Sequence, residues 1–454
     1  MSLPLGEYSL KFKFIHAADV HLDGECGIAT GGSVDMPTDL KSMLSDYTRR
    51  AFSRLVDLCL AEQVDFLLLA GDVFDRPDRS LSAQMFVKRE MERLNSGKVD
   101  VYMCFGNHDY VNADFPKVIY PPNVHIFGSE KVEDFAVIKE EEHIADVFGI
   151  SFASREVRNN LSLPFPRMGG NVRERKFNIG VLHANVGGAS GYQNYCPCAL
   201  GDLATSDIDY WALGHVHDRR ILRKSDPAVV YPGNIQGRGF HEEGAKGCYL
   251  VSVEDGELVA LEFMSTDVVR WKTVKVDIAK LDAAGSDEPN LEELIDKVVE
   301  CVTSAVKEED VSCIVNTVLE GKGSFHRLLT GSSATREHVL EEIERRLSRH
   351  SVRGNALNGG VKHIWAEELE IHTQRPMDRN ALVREGEFMA EFLRVSDEVI
   401  ERGASHRLVN DVLSSIEGDR DMWRHLKAFG DDEVVEMVKA AQSMGIDLLL
   451  SEEE

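Results

Sequence analysis

The chain has 454 residues, enough for two or three domains and a large core, and its 43% hydrophobic and 28% charged residues are the mix of a water-soluble globular protein. A formal net charge of −26 excludes a protein that coats nucleic acid through bulk positive charge. No apolar run reaches the roughly 18 residues of a membrane span, the start MSLPLGEYSLKFKF lacks the apolar core of a secretory leader, and the eight cysteines form no CxxC pair, so the expectation is a cytoplasmic protein with reduced thiols and no membrane contact, Cys196-Pro-Cys198 included.

Phe12–Ala18 reads as a strand, and Tyr47–Glu62 places Ala51, Leu55, Leu58 and Cys59 at helical spacing. Val64–Ala70 (VDFLLLA) reads as a buried strand, Ser82–Asn95 as a helix with Phe86, Val87, Met91 and Leu94 inward, and Val99–Cys104 as a third strand. Strands alternating with helices predict a mostly parallel sheet covered by helices. After about residue 120 the strand-like runs crowd together (NVHIFG, IADVFGISFAS, FNIGVLHA, IDYWALGH, AVVYPGN, GCYLVSV), which predicts a second sheet packed on the first. Trp271–Ile278, Leu291–Val306, Val311–Leu319, Glu337–Arg349 and Val361–Ile371 then follow a β-α-β-α-β order that suits a small α/β cap, and from about Asp378 only helix patterns and an acidic end, Ser451–Glu454, remain. The chain divides on this reading into domains at 10–268, 269–372 and 373–454.

Five short segments carry chemistry: Asp19-Val20-His21, Gly71-Asp72, Gly106-Asn107-His108-Asp109, Leu182-His183 and Gly214-His215-Val216-His217. Each falls at the end of a predicted strand, where sites assemble in open α/β sheets. Two divalent ions about 3.5–4 Å apart can clamp a phosphodiester, and such a pair needs a bridging carboxylate with imidazole and oxygen ligands. Asp72 is the natural bridge. Asp19, His21 and His217 would hold one ion, and Asn107, His183 and His215 the other. His108 is then free to face the substrate, with Asp109 to orient it. Imidazole with carboxylate suits manganese, iron or zinc better than an all-oxygen calcium site. A lone strand-end histidine is usually structural, and loops rich in Gly, Asn and Asp are ordinary turns, but five such segments in this order argue for a shared site.

At these residues the chain resembles the calcineurin-like metallophosphoesterase superfamily, whose order D-x-H, GD, GNHD, H, GHxH is filled at every ligand position over about residues 10 to 265. The resemblance implies a four-layered α/β/β/α sandwich and two divalent ions, manganese first, with iron, zinc or magnesium as alternatives. FIHAADVHLDG, LLAGDVFDRPDRSLSAQ, FGNHDY, DYWALGHVHDRR and VVYPGNIQGRGFHEEGAKGCYLV are similar to the bacterial SbcD-like DNA-repair exonucleases, in particular their YhaO branch. That resemblance implies DNA as substrate, an SbcC-type ATPase bound through the C-terminal helices, and a homodimer. One position departs: SbcD nucleases commonly carry histidine right after GD-x-F, and Asp75 stands there, an acid that cannot donate as an imidazolium does.

Arg76 and Arg79 after Asp72, Arg219 and Arg220 after His217, and Arg155 with Arg158 are local cations expected to meet phosphates, although for any one of them a solvated turn is the commoner role. The loop Gly187–Tyr195, with Tyr192 and Tyr195, is expected to approach a substrate backbone or stack a base, and the loop Gly24–Pro37 to shape access. The first functional expectation is a metal-dependent DNA phosphodiesterase. A metallophosphoesterase for small phosphodiesters or phosphomonoesters is the alternative, and a non-catalytic scaffold the third reading.

Overall fold

The computed structural model describes residues 10–24, 26–28, 36–167, 176–281, 290–330, 333–350, 352–353, 361–375, 383, 386–402 and 431–451. Two compact units emerge. One comprises Met1–Thr273, Thr303–Asn316 and Glu344–Glu367, and the other Val274–Val302, Thr317–Ile343 and Glu368–Glu454.

The first unit is built on two six-stranded sheets. Strands β1 (Lys11–Ala17), β2 (Phe66–Ala70), β3 (Asp100–Cys104) and β4 (Val124–Ile126) run parallel side by side. β2, FLLLA, is buried at every residue, as a central parallel strand covered on both faces must be. The second sheet takes the order β5-β6-β7-β8-β10-β9, from β5 (Glu133–Lys139), β6 (Glu142–Gly149), β7 (Phe177–His183), β8 (Tyr210–Gly214), β9 (Arg220–Arg223) and β10 (Ala228–Tyr231). β11 (Gly247–Glu254) returns to the first sheet antiparallel to β1, and β12 (Glu257–Ser265) forms its edge.

Residues alternate across each strand, so one set points between the sheets and the other outward. The inner set is aromatic: Phe12, Phe14, Phe66, Phe177 and Tyr210 are all buried between the sheets, and Phe14 stacks on Phe66 with ring centroids 4.9 Å apart. The outer face of the first sheet packs against α1 (Tyr47–Ala61) and α2 (Leu81–Ser96) through Ala51, Phe52, Leu55, Cys59, Val87, Met91 and Leu94. Helix α2 starts at Ser80, whose hydroxyl accepts the Ala83 N–H at 3.1 Å. The outer face of the second sheet is covered by loops and the short helix Leu200–Ala204, around Trp211 and Phe165. This is the expected α/β/β/α order with a thin fourth layer.

Beyond the sandwich, β13 (Val269–Asp277), β14 (Ser312–Lys322) and, after the two-stranded pair β15 (Val352–Arg353) and β16 (Val361–Lys362), β17 (Ile364–Gln374) include a three-stranded sheet in the order β13-β14-β17. The expected β-α-β-α-β run is present, with helices Leu291–Ala305 and Ser333–Leu347 between the strands. Helices Glu387–Arg402 and Asp431–Ser451 pack on each other through Met389, Phe392, Leu393, Ile446 and Leu449. All eight cysteines are free thiols, and burial pushes Cys196 and Cys198 up to about 12, as inert core residues. No described helix is long and apolar enough to cross a membrane.

Candidate metal centre

The chain ends of five parallel strands meet at one rim of the sandwich. Asp19 and His21 follow β1, Asp72 follows β2, Asn107 and His108 follow β3, His183 closes β7, and His215 and His217 follow β8. The β1 and β2 exits stay paired past the sheet, Asp19 N–H donating to the Gly71 carbonyl at 3.1 Å and His21 N–H to the Asp72 carbonyl at 3.0 Å. Asp19, His21, Asp72 and His215 all hold positive φ, at 51°, 47°, 51° and 98°. Such conformations cost free energy in non-glycine residues and concentrate at functional sites. The turn glycines are there for space: a Cβ on Gly214 would lie 1.9 Å from the Ala70 carbonyl oxygen, and one on Gly106 would lie 2.3 Å from the Asp72 carboxylate.

All seven side chains expected to be ligands come together. His21 Nε2 lies 3.1 Å from His217 Nε2, with Asp19 grouped beside them. His183 Nε2 lies 3.1 Å from Asn107 Oδ1, and His215 Nδ1 lies 3.2 Å from the same oxygen. Asp72 Oδ2 sits between the two groups, 3.3 Å from His183 Nε2 and 3.9 Å from His21 Nε2.

The outward nitrogens of the rings settle what the inner ones can do. His21 Nδ1 donates to Asp75 Oδ1 at 3.0 Å, and His217 Nδ1 to Glu242 Oε1 at 2.7 Å. His183 Nδ1 donates to the Ala70 carbonyl at 3.0 Å, and His215 Nε2 to the Gln193 carbonyl at 2.6 Å. Each inner nitrogen of a neutral ring is then a bare lone pair. Two such lone pairs face each other at 3.1 Å, and two more point at a carbonyl oxygen. Neutral rings converging in this way fit divalent cations, and the outer partners match the supporting shell of a metal-ligating histidine. The electrostatics agree. Burial opposes charge on His183, yet Asp72 and Asp19 outweigh it and raise its pKa to about 9. Burial also works against an ionised Asp72, but the His183 charge and hydrogen bond, with His21 and His108, hold it well below the usual carboxylate range. A divalent ion bound here would supply the positive charge that Asp72 draws and would take the place of the His183 proton.

His108 lies beside this cluster, its ring 4.7 Å from that of His21 and nearly perpendicular to it. Its Nδ1 donates to the backbone carbonyl of Asp75 at 2.8 Å. This corrects the role expected for Asp109. The Asp109 carboxylate is fully buried and accepts the N–H groups of Gly106, Val73 and Phe74, at 2.7, 2.7 and 3.2 Å, so it ties two loops together and leaves His108 to the Asp75 backbone.

Arg79 requires a second correction. It is 3% exposed, packed between the rings of Phe105 and Phe115 at 3.9 and 3.7 Å, and donates to the Asp109 and Tyr110 carbonyls. A guanidinium committed to a loop core is a structural residue, not a phosphate contact. Arg220 pairs with Asp218 at 2.8 Å, Arg219 lies over Phe263 at 3.7 Å, and Arg158 pairs with Glu156 at 2.8 Å. Arg76 lines a cleft with Asp23, Phe74, Asp78 and Ser80. Tyr192 is 5.8 Å from the His217 ring and Tyr195 6.0 Å from the His215 ring, so the loop Gly187–Tyr195 borders the centre. In the loop Gly24–Pro37, residues 25 and 29–35 lie outside the described residues. Glu242 and Arg238 were not anticipated. Their roles depend on a fold contact 25 residues beyond His217 that no local pattern announces.

Two facing sheets with a buried cluster of imidazoles and carboxylates at their parallel-strand ends define a metallophosphoesterase. The chain belongs to that family: residues 12–219 match the calcineurin-like phosphoesterase profile, and it hydrolyses phosphoester bonds. It is 33% identical to the uncharacterized metallophosphoesterase YhaO of Bacillus subtilis over 429 residues, covering 94% of this chain and 96% of that one. It is 23% identical to the DNA double-strand break repair protein Mre11 of Sulfurisphaera tokodaii, over 81% of this chain and 90% of that protein. It is 22% identical to a subunit of the nuclease SbcCD of Bacillus subtilis, over 57% of this chain and 72% of that protein.

Proposed function

We propose that this protein is a DNA phosphodiesterase with a dinuclear centre, in which Asp19, His21 and His217 would hold one cation, Asn107, His183 and His215 would hold the other, and Asp72 would be shared between them. The observation that carries the reading is the pair of facing acceptor nitrogens, His21 Nε2 and His217 Nε2, 3.1 Å apart and next to a buried carboxylate. Manganese suits this donor set of imidazole, carboxylate and amide oxygen. When bound, two such ions would neutralise phosphoryl charge and lower the pKa of water enough to make a nucleophile at neutral pH.

The residues supply the rest. His108 gives Nδ1–H to the Asp75 carbonyl, which leaves Nε2 as the atom that takes and gives a proton. As an imidazolium, protonated on both nitrogens, His108 would donate the Nε2 proton to the phosphoryl group or its leaving oxygen and would be reprotonated by the attacking water. Gly106, by lacking a Cβ, lets this loop lie against Asp72. The kinship with proteins named for DNA double-strand break repair and with a component of a nuclease supports DNA as the substrate. Arg76, Arg219 and Arg220 are the candidate phosphate contacts. On the same reading, residues 10–268 form the catalytic domain, 269–372 the cap and 373–454 the segment that binds an SbcC-type ATPase, in a homodimeric cytoplasmic complex.

The test is incubation with manganese on linear DNA of defined ends, with a nitrophenyl phosphodiester in parallel. DNA cleavage that EDTA abolishes is the expected result. Turnover of the small ester with DNA left intact would move the assignment to small phosphoesters.

A further inference from the structure

Three side chains outside the proposed ligand set form a linked group at its edge, and their significance rests on the two-cation reading above. Arg238 Nη1 lies 3.2 Å from Asp75 Oδ1, and Arg238 Nη2 lies 3.1 Å from Glu242 Oε1. The same two carboxylate oxygens accept the imidazole N–H groups, His21 Nδ1 at 3.0 Å on Asp75 and His217 Nδ1 at 2.7 Å on Glu242. Each oxygen therefore receives one N–H from a ring and one from the guanidinium. Arg238 Nη2 also lies 3.3 Å from His217 Nδ1, but both are donors once the ring gives its proton to Glu242, so this is a contact and not a bond. Glu242 is further fixed through Oε2, which accepts the Arg238 backbone N–H at 2.9 Å and the Asn234 amide at 2.8 Å.

The geometry has a direct consequence for the rings. Fixing both Nδ1 protons leaves both Nε2 lone pairs aimed at one another. Two carboxylates set against adjacent rings repel each other and would drift apart without a shared cation. The planar guanidinium fork holds one on each side, which a point charge cannot do with the same angular definition. Asp75 acquires a role on this account: it is one of the two arms by which the fork reaches the centre.

We propose that Arg238 is a positioning residue, a clasp that acts through Asp75 and Glu242 to set the tautomer and ring orientation of His21 and His217, and thereby the affinity of the cation site those rings share with Asp19. Loss of a partner at this distance from a metal typically weakens binding by about 10–100-fold. Arg238 meets the rings through the carboxylates of Asp75 and Glu242, whereas His108 meets Asp75 through its backbone carbonyl, so the effect is expected first on metal affinity.

The experiment uses the full chain stripped with EDTA, titrated with Mn²⁺ by calorimetry and followed by the electron paramagnetic resonance of bound manganese. The wild type is expected to take two ions. Arg238→Met should weaken one of the two by about 10–100-fold and leave the other near its original affinity, with Arg238→Lys recovering part of the loss. Glu242→Gln keeps an oxygen for the His217 N–H but drops the charge that holds the guanidinium, and should weaken the same site, which secures the test if the methionine variant does not fold. Wild-type affinity at both sites in Arg238→Met, or in Glu242→Gln where the methionine variant is unfolded, overturns the clasp while the two-ion reading stands. A wild-type chain that takes fewer than two ions overturns the reading beneath it.

Discussion

Asp109→Asn separates an architectural role for this carboxylate from a catalytic one. The carboxylate is fully buried, with Oδ1 on Gly106 N–H at 2.7 Å and Oδ2 on Val73 and Phe74 N–H at 2.7 and 3.2 Å. Burial and the Asp72 charge push its pKa up to about 6, with Arg79 and the backbone N–H groups opposing; three N–H donors on two oxygens, with no acceptor among the described residues facing either, are the surroundings of an ionised carboxylate. An amide can keep its oxygen toward Val73 and Phe74, but its NH₂ then meets the Gly106 N–H as a second donor. One charge-assisted bond worth about 1.5–3 kcal/mol is lost, and the other two fall to the neutral range of about 0.5–1.5 kcal/mol each. The relief of burying an amide in place of a charge offsets part of this. A net loss of about 3 kcal/mol follows, which at roughly 2–4 °C per kcal/mol lowers the melting temperature by about 6–12 °C. The assay is thermal unfolding in EDTA, with manganese titration of the same samples. Because Asp109 joins the loop of Asp72 to the loop of Asn107, metal affinity should fall with stability. A variant that melts with the wild type, binds two ions normally and has lost turnover would refute this reasoning and return Asp109 to the role of orienting His108.

His108→Ala should lower kcat on the cleaved ester by about 10²–10⁴-fold while two manganese ions remain bound; a full rate would remove His108 from the reaction. Arg79→Met should lower stability by about 2 kcal/mol through lost ring contacts and carbonyl hydrogen bonds, with KM for DNA unchanged, and a rise in KM at wild-type stability would restore it as a substrate contact. His16 is buried, its Nδ1 accepting from the Tyr210 hydroxyl at 3.0 Å and its Nε2 donating to the Leu213 carbonyl at 3.2 Å, and burial, against the pull of that carbonyl, lowers its pKa to about 3. The unfolded imidazole titrates near 6.5, so between those values the unfolded chain binds the extra proton: the stabilisation is complete above about pH 6.5 and is lost as pH falls toward 3, at up to about 1.4 kcal/mol per pH unit. Denaturation of the EDTA-treated protein at pH 7 and pH 5 should lose about 2 kcal/mol more in the wild type than in His16→Gln, and equal losses would exclude this histidine as the source.

The parts of the fold that were legible are those whose burial is uniform. VDFLLLA can only be a strand covered on both faces, and the helical stripe Ala51, Leu55 and Cys59 has no other use. The hairpin arm β5 was missed for a reason visible in its turn. Lys139 pairs with Glu142 across Glu140 and Glu141, both with positive φ at 52° and 68°. That is the backbone of a two-residue turn usually marked by Asn-Gly or Asp-Gly, and two glutamates conceal it. Strand β12 was concealed less well. Its turn is Asp255-Gly256, the standard signal, followed by an edge strand too exposed to read as apolar.

The site divides along the same physical line. A metal ligand in this fold sits where a strand stops, so its identity, its glycine neighbour and its two-residue spacing are local features. Asp19, Asp72, His183 and His215 could be read without knowing which strands adjoin. The groups that orient those ligands obey no such spacing. They need only reach the far nitrogen of a ring, and a carboxylate such as Glu242, a backbone carbonyl such as that of Ala70, or the carbonyl of Gln193 serves equally well. Two of the three are main-chain atoms, which every residue carries and which therefore leave no mark in a sequence. The mistaken role for Asp109 has this origin. Adjacency to His108 suggested a partnership, yet its carboxylate is aimed at the backbone of Val73 and Phe74, while the oxygen that does reach His108 belongs to the main chain of Asp75, 33 positions away. In this centre the ligands are set by side-chain type, whereas the proton on each ring is set by tertiary packing, and it is the second of these that decides whether a ligand nitrogen presents a lone pair or a hydrogen to a cation.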